Sequence, residues 1–150
     1  MTTKRLLLVE DNIDDVDLML RAFRINQMYP QVFVAHDGAE ALEWLFATGA
    51  GVDATAPLPS VVLLDLKLPK IDGLSVLRRI RSEPRTAMLP VVILTSSNEH
   101  VDLVDSYRLG ANSFVRKPVQ FGDLLKVIKC IGGYWLGINE VPAAAEVVSL

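Results

Sequence analysis

The strongest constraint on the fold is a strict alternation of two kinds of segment along the chain. Short runs rich in Val, Leu and Ile, typical of buried strands, are separated by longer stretches with apolar residues at helical spacing. The runs span residues 6–9, 32–35, 61–64, 91–94 and 113–115, and the helical stretches span 13–26, 38–46, 74–82, 100–109 and 121 to about 135. Five strands alternating with five helices imply βαβ units, and therefore an α/β fold in which helices cover both faces of a parallel sheet.

Composition and charge favour a globular protein with a core of its own. The 150 residues are 51% hydrophobic and 22% charged, which is typical of one ordinary domain. The net charge of −3, with acidic and basic residues interspersed, offers no basic patch for a nucleic acid. A single cysteine, Cys130, excludes an internal disulfide, and the N-terminal residues show no signal peptide or membrane span. We therefore expect a cytoplasmic protein that does not bind DNA.

Two segments depart from the alternation. Residues 47–60 are rich in Gly, Ala, Thr and Pro without any period, which predicts a long surface loop before the third strand. Residues 137–150 include Pro142 and the simple run "AAAEVVSL", typical of a tail that is frayed or docked onto a partner. We predict one domain over residues 1–136, followed by this tail.

Conspicuous polar residues stand at the ends of four of the predicted strands. Glu10 and Asp11 follow the first strand, Asp65 the third, Thr95 the fourth and Lys117 the fifth. Each alone could be a helix cap, a turn former or a solvated charge. In an open parallel sheet, however, ligands bind outside the carboxyl ends of the strands. The pattern therefore gathers three carboxylates, a hydroxyl and an ammonium at one edge.

This combination of groups favours phosphoryl chemistry. Three carboxylates at one edge repel one another and stay ionised together only if a cation lies among them, and Mg²⁺ suits oxygen ligands. Magnesium favours a phosphoryl group, whose remaining oxygens a lysine and a hydroxyl can hold. An aspartate oxygen can attack phosphorus and form an aspartyl phosphate. Asp65, at the end of the central strand, is the best placed nucleophile.

The segments "LLLVEDN", "LLDLKLPKIDG", "VVILTSS" and "SFVRKP", in this order, resemble the receiver domain of two-component response regulators over about residues 5–130. The resemblance implies the flavodoxin-like fold, with five parallel strands in the order 2-1-3-4-5. It implies a signalling protein that accepts a phosphoryl group from a histidine kinase, rather than an enzyme acting on a separate substrate. Any catalysis would be limited to its own phosphorylation and dephosphorylation.

The resemblance also implies a role for each residue of the polar edge. Asp65 would be the phosphoacceptor and, with Asp11, a direct ligand of Mg²⁺, whereas Glu10 would act through a metal-bound water. The backbone carbonyl of Lys67 would complete the metal ligands. By the same resemblance, the Lys67 side chain would face the path of the hydrolytic water and alter the phosphoryl lifetime in a direction that the sequence leaves open. Lys117 would pair with Asp65 before the reaction and with the phosphoryl group after it.

Further positions of the family correspond to residues of this chain. Thr95 would move to donate a hydrogen bond to the phosphoryl group, and Ser96, being small, would leave room for the phosphodonor. Pro118 would follow a cis peptide bond that turns Lys117 toward the site. Phe114 occupies the position of the switch aromatic, although an ordinary core aromatic explains it equally well. Movement of Thr95 and Phe114 would carry the signal of phosphorylation to the surface.

The sequence also bears on partners. His36 and His100 lie outside the context of a phosphohistidine and are expected to face solvent, so the donor histidine belongs to another protein. Apolar residues continue beyond the usual family end, and they either fold back onto their own domain or pack against a second copy. We favour a homodimer through helix four, strand five, helix five and this extension. The extension is Tyr134, Trp135, Leu136 and Ile138.

The ending and the long loop resemble single-domain regulators paired with bacterial or cyanobacterial phytochrome kinases, which implies such a kinase as partner. Two functions of other classes stay open. The fold can hold a flavin, although the anionic segment "VEDNIDD" is unlike a phosphate-binding loop. A receiver-like interaction module that acts without phosphorylation would keep its partner binding in an Asp65→Asn variant.

Overall fold

The structure is a computed structural model that describes residues 4–46 and 57–142. Residues 47–56 of the predicted loop and residues 143–150 of the predicted tail lie outside the described residues. Five strands alternate with five α-helices, as predicted, and most boundaries lie within one residue of the expected ones. The elements are β1 Arg5–Val9, α1 Ile13–Ile25, β2 Gln31–Ala35, α2 Gly38–Phe46, β3 Val61–Leu64, α3 Gly73–Ser82, β4 Val91–Thr95, α4 His100–Arg108, β5 Ser113–Arg116 and α5 Phe121–Gly132.

The strands form one parallel sheet in the order β2-β1-β3-β4-β5, which confirms the predicted topology. The register aligns the carboxyl ends of the central strands. Val9 of β1 lies opposite Leu64 of β3, so Glu10 and Asp65 leave the sheet side by side. At the other side, Thr95 of β4 lies opposite Arg116 of β5, which places Lys117 one residue beyond the paired strands.

The core lies on both faces of the sheet because successive side chains of a strand point to opposite sides. Leu7 and Val9 of β1 belong to the cluster covered by α2 and α3. Leu6 and Leu8 belong to the cluster covered by α1 and α5. Burial on both faces explains why β1, β3 and β4 are continuous apolar runs rather than alternating ones.

Local signals fix the starts of the helices nearest the polar edge. Asn12 caps α1, and its side chain accepts a hydrogen bond from the backbone nitrogen of Asp15 at 3.0 Å. Asp72 caps α3 in the same way. A Cβ atom at Gly73 would lie 2.2 Å from the carbonyl oxygen of Asp65. Helix α3 therefore begins directly against the end of the strand that presents Asp65.

Helix α5 does not stop at Gly132. It continues as π-helical turns over Gly133–Ile138. Trp135 and Leu136 are half-buried against the cluster between the sheet, α1 and α5, so these two side chains fold back onto their own domain. Tyr134 and Ile138 are 46% and 72% exposed. Within the described residues, no helix combines the length and apolarity needed to cross a membrane.

Candidate functional site

Three carboxylates converge at the ends of β1 and β3. The side chains of Glu10 and Asp65 are only 2% and 9% exposed, whereas Asp11 is exposed. One carboxylate oxygen from each residue lies within 4.8 Å of the others. Oxygens gathered in this way form a donor set that fits a hard divalent cation, and such a cation would relieve their mutual repulsion.

Lys117 supplies positive charge to the same cluster from the end of β5. Its ammonium makes its closest contact with the Glu10 carboxylate and lies 3.0 Å from Asp15 Oδ2 and 3.5 Å from Asp65 Oδ2. The side chain is 10% exposed. The expected ion pair with Asp65 is thus present, but it is the longest of the three contacts of this ammonium.

The pKa values of the two closest partners reflect this burial. Burial raises the pKa of the Glu10 carboxyl to about 7, against the lowering effect of its hydrogen bond with Lys117, and the charge of Asp65 adds to the rise. Burial alone would lower the pKa of Lys117, but the hydrogen bond to Glu10 and the charge of Asp65 outweigh it and raise that pKa. The ammonium therefore keeps its charge at neutral pH, where the Glu10 carboxyl is close to its titration point.

Asp65 is also held by neutral donors. The buried hydroxyl of Thr95 donates to Asp65 Oδ1 at 2.8 Å, and the backbone nitrogen of Lys67 donates to the same oxygen at 3.3 Å. Asp65 Oδ2 faces the Lys117 ammonium. Thr95 was expected to move toward a phosphoryl group, whereas here its hydroxyl already contacts the carboxylate, since a buried hydroxyl needs a partner.

The prediction of a cis peptide bond before Pro118 is wrong. No cis peptide bond occurs within residues 4–46 and 57–142. The trans form is intrinsically favoured by about 0.5–1 kcal/mol even before proline. Lys117 is directed by a backbone hydrogen bond instead, because its nitrogen donates to the carbonyl of Thr95 at 2.7 Å and extends the pairing of β4 with β5.

The remaining predicted residues lie around this centre. Ser96 is exposed and borders a cleft of about 240 Å³ between α1 and the start of α5, together with Asp15 and Lys117. Phe114 is half-buried against the cluster covered by α2 and α3, and its switch role stays a prediction. The Lys67 side chain is exposed, and the role of its carbonyl as a metal ligand also stays a prediction. His36 and His100 are exposed, as expected.

Two contacts were missed by the sequence analysis. Asp15, in the first turn of α1, reaches Lys117 across 102 residues of sequence. An acid there is ordinarily explained by the helix dipole, so no sequence signal distinguished it. Ser97 accepts a bond from the backbone nitrogen of Glu99 and donates to Asp102 at 2.5 Å, which ties the end of β4 to α4. The small polar run "TSS" was the only hint of this second contact.

The parallel sheet and the acidic edge define a class of signalling domain, and comparison with known proteins identifies it. The family model of the response regulator receiver domain matches residues 6–129. The chain belongs to this family. It is 40% identical over 140 residues to the probable methanogenesis regulatory protein FilR2 of Methanothrix harundinacea, covering 93% of this chain and 88% of that protein. It is 35% identical to response regulator Rcp1 of Synechocystis, covering 94% and 95% of the two chains.

Solved structures show the same fold. The phosphorylated cyanobacterial phytochrome response regulator RcpA superposes with a TM-score of 0.86 at 35% identity, over 94% of this chain and 99% of that chain. The Mn²⁺-bound form of Rcp1 gives a TM-score of 0.84 at 34% identity, over 93% and 99%. The flavodoxin-like fold, the family and the similarity to phytochrome-associated regulators are therefore confirmed.

Proposed function

We propose that this protein is a phosphoacceptor response regulator that receives a phosphoryl group on Asp65 from a phosphohistidine of a histidine kinase. The observation that carries the proposal is the set of contacts around one carboxylate. Asp65 Oδ1 accepts from Thr95 and from the Lys67 backbone, while Asp65 Oδ2 faces the ammonium of Lys117. The carboxylate oxygens of Glu10 and Asp11 lie beside it. This is an arrangement for holding a nucleophile and the charge of an incoming phosphoryl group.

The chemistry follows from these groups. A carboxylate oxygen of Asp65 forms a bond to phosphorus while the nitrogen–phosphorus bond of the donor breaks, and the imidazole leaves with the electron pair. Lys117 and Thr95 hold the phosphoryl oxygens by charge and by hydrogen bonding. Mg²⁺ held directly by Asp11, Asp65 and the Lys67 carbonyl, and by Glu10 through a water, would neutralise phosphoryl charge. The donor set supports a divalent cation, and the similar protein Rcp1 has been solved with Mn²⁺.

The signal would leave the site through β4. The Thr95 hydroxyl accepts a hydrogen bond from the backbone nitrogen of Ser97 at 3.3 Å while it donates to Asp65. A phosphoryl group on Asp65 would draw this hydroxyl and Lys117 toward its oxygens. Ser97 follows because it is bound to Thr95, and with it the first turn of α4. Rotation of Phe114 into the space left by Thr95 would complete the switch.

Exposed apolar residues around the site support the proposal that the phosphodonor is a protein. Ile13 at the start of α1 and Val119 before α5 are 68% and 96% exposed. Apolar side chains that flank a charged centre favour a protein surface that covers them. RcpA is a cyanobacterial phytochrome response regulator, and the similarity supports a phytochrome kinase as donor. The proposal places this exchange in the cytoplasm, since the free, exposed thiol of Cys130 is typical of a reducing compartment.

The proposal is tested by intact mass spectrometry after incubation with acetyl phosphate, with and without Mg²⁺. We expect a single phosphoryl adduct that requires both Mg²⁺ and Asp65, and that is absent in Asp65→Asn. Asp17→Asn is the matched control, because this aspartate is exposed on α1. If the unsubstituted protein gains no adduct and beryllofluoride leaves its NMR spectrum unchanged, the alternative of a phosphorylation-independent interaction module replaces the proposal.

We further propose that two copies associate through the C-terminal extension and the side formed by α4, β5 and α5. Tyr134 and Ile138 of the extension are exposed, as are Val101 and Tyr107 of α4. Trp135 and Leu136 brace the extension from within, since they pack on their own domain. Apolar side chains left on one side of a domain favour burial against another surface.

A further inference from the structure

Asp15 binds the ammonium of the site from outside the set of proposed metal ligands. Its Oδ2 lies 3.0 Å from Lys117 Nζ, closer than the 3.5 Å that separates this nitrogen from Asp65. The other close partner of Lys117 is Glu10. Of the three carboxylates around the ammonium, Asp15 is thus the one that a bound cation would leave free to pair with lysine.

Helix capping does not account for this carboxylate. Asp15 is the third residue of α1, where an acidic side chain often turns back to the backbone nitrogen of the cap. Here the nitrogen of the capping residue Asn12 donates to Glu10 Oε2 at 3.2 Å instead. The Asp15 side chain points across to the end of β5 and is one-third exposed, at 32%. Its neighbour Asp14 is also an acidic residue of the first turn of α1, but it forms no hydrogen bond or ion pair with any described residue.

A cation that enters the acidic cluster must compete with Lys117 for Glu10 and Asp65. The displaced ammonium is 10% exposed, and a charge this buried is costly to leave without a counter-ion. A carboxylate that is not needed by the metal removes this cost. Asp15 is in contact with the ammonium already, so the lysine keeps a partner when the cation binds.

We propose that Asp15 is a positioning residue that holds Lys117 beside the site and so permits a divalent cation to bind among Glu10, Asp11 and Asp65. The inference rests on the proposed metal-assisted phosphoryl transfer and deepens it. Asp15 itself touches neither the cation nor the phosphoryl group. It acts by keeping the ammonium paired before the cation arrives and while the cation is present.

The test is a double-mutant cycle on Mn²⁺ affinity, measured on the full chain by the EPR signal of the free ion. Asp15→Asn is expected to weaken Mn²⁺ binding roughly fivefold or more, whereas Asp14→Asn changes it less than about twofold. Asp15→Glu keeps the charge and can still reach Lys117, so it restores affinity to within about twofold of the unsubstituted protein. This conservative variant separates the ion pair from a general effect on the helix.

The decisive comparison uses Lys117→Gln as background. Without the ammonium there is no charge to keep paired, so Asp15→Asn is expected to lose most of its effect on Mn²⁺ affinity there. An equal effect in both backgrounds would show that Asp15 acts only as a distant charge and would overturn the inference. Unchanged affinity in Asp15→Asn would overturn it as well. If the unsubstituted protein binds no Mn²⁺, the proposed function fails first and this inference fails with it.

Discussion

At the scale of single residues, the ionisation of Glu10 is constrained by its burial in the fold. Its pKa is raised by burial from an ordinary value of 4.5 to about 7. The folded state therefore holds this proton more tightly than the unfolded state. The stability that protonated Glu10 contributes is fully present below pH 4.5, and it is lost as the pH rises through about 7.

In protein kept free of metal by a chelator, Glu10→Gln is expected to remove the loss of stability that occurs as the pH rises through about 7. The neutral amide needs no proton, so the free energy of unfolding above pH 7 should exceed that of the unsubstituted protein by about 1 to 3 kcal/mol. The two proteins should converge near pH 4.5. Urea unfolding at a series of pH values measures the difference. Glu43→Gln on the exposed side of α2 is the control and should follow the unsubstituted curve, whereas parallel curves for Glu10→Gln would contradict the prediction.

The sequence specifies which residues reach the site but not how their side chains pair. Glu10, Asp11, Asp65, Thr95 and Lys117 could be placed at one edge because each directly follows a strand, and a parallel sheet aligns strand ends. The partner that each side chain chooses could not be predicted. Lys117 had several carboxylates within reach, and the choice of Glu10 and Asp15 depends on distances set by the packing of α1 against α5.

At the scale of secondary structure elements, α3 is joined to the site by close backbone contact. A Cβ atom at Gly73 would meet the carbonyl oxygen of Asp65 at 2.2 Å and the Cα of Leu66 at 2.6 Å. Both are backbone atoms, so a side chain at this position forces the helix or the end of β3 to shift.

Gly73→Ala is therefore expected to lower the free energy of unfolding by about 2 to 4 kcal/mol and to slow phosphorylation of Asp65. Gly122→Ala is the matched control, because a Cβ there meets no atom within 4 Å. Its stability should stay unchanged or rise by up to about 1 kcal/mol through helix propensity. Denaturant midpoints and adduct formation measure both effects. Equal stability of the two variants would show that α3 can shift without lowering the free energy of unfolding.

The elements themselves could be predicted from hydrophobic period, since β1, β3 and β4 are continuous apolar runs and the helices show a clear apolar face. The end of α5 could not be predicted in this way. A Gly132-Gly133 pair lowers helix propensity, yet the helix continues through it as π-helical turns over Gly133–Ile138, a form that hydrophobic period does not predict. The peptide bond before Pro118 is trans, which the proline in the sequence could not decide because both isomers are accessible before proline.

At the scale of the whole molecule, the proposed dimer depends on the outer side of the C-terminal extension. Ile138→Asp places a charge on this surface and is expected to shift the protein from dimer to monomer, because an unpaired charge is costly to bury in an interface. Light scattering coupled to gel filtration measures the mass. Met88→Asp, an exposed apolar position between α3 and β4, is the control and should stay dimeric. A monomeric mass for the unsubstituted protein would contradict the proposal.

The position of Lys117 directly after the last strand has a consequence for synthesis on the ribosome. All three acidic residues of the cluster are in place once β3 has paired with β1. The lysine that pairs with them, Lys117, follows Asp65 by 52 residues in the sequence. A nascent chain that has emerged only as far as β4 would hold Glu10, Asp11 and Asp65 without the lysine that offsets them. Docking of β5 therefore adds electrostatic as well as hydrophobic stabilisation, and the sheet becomes most stable only when its final edge is in place.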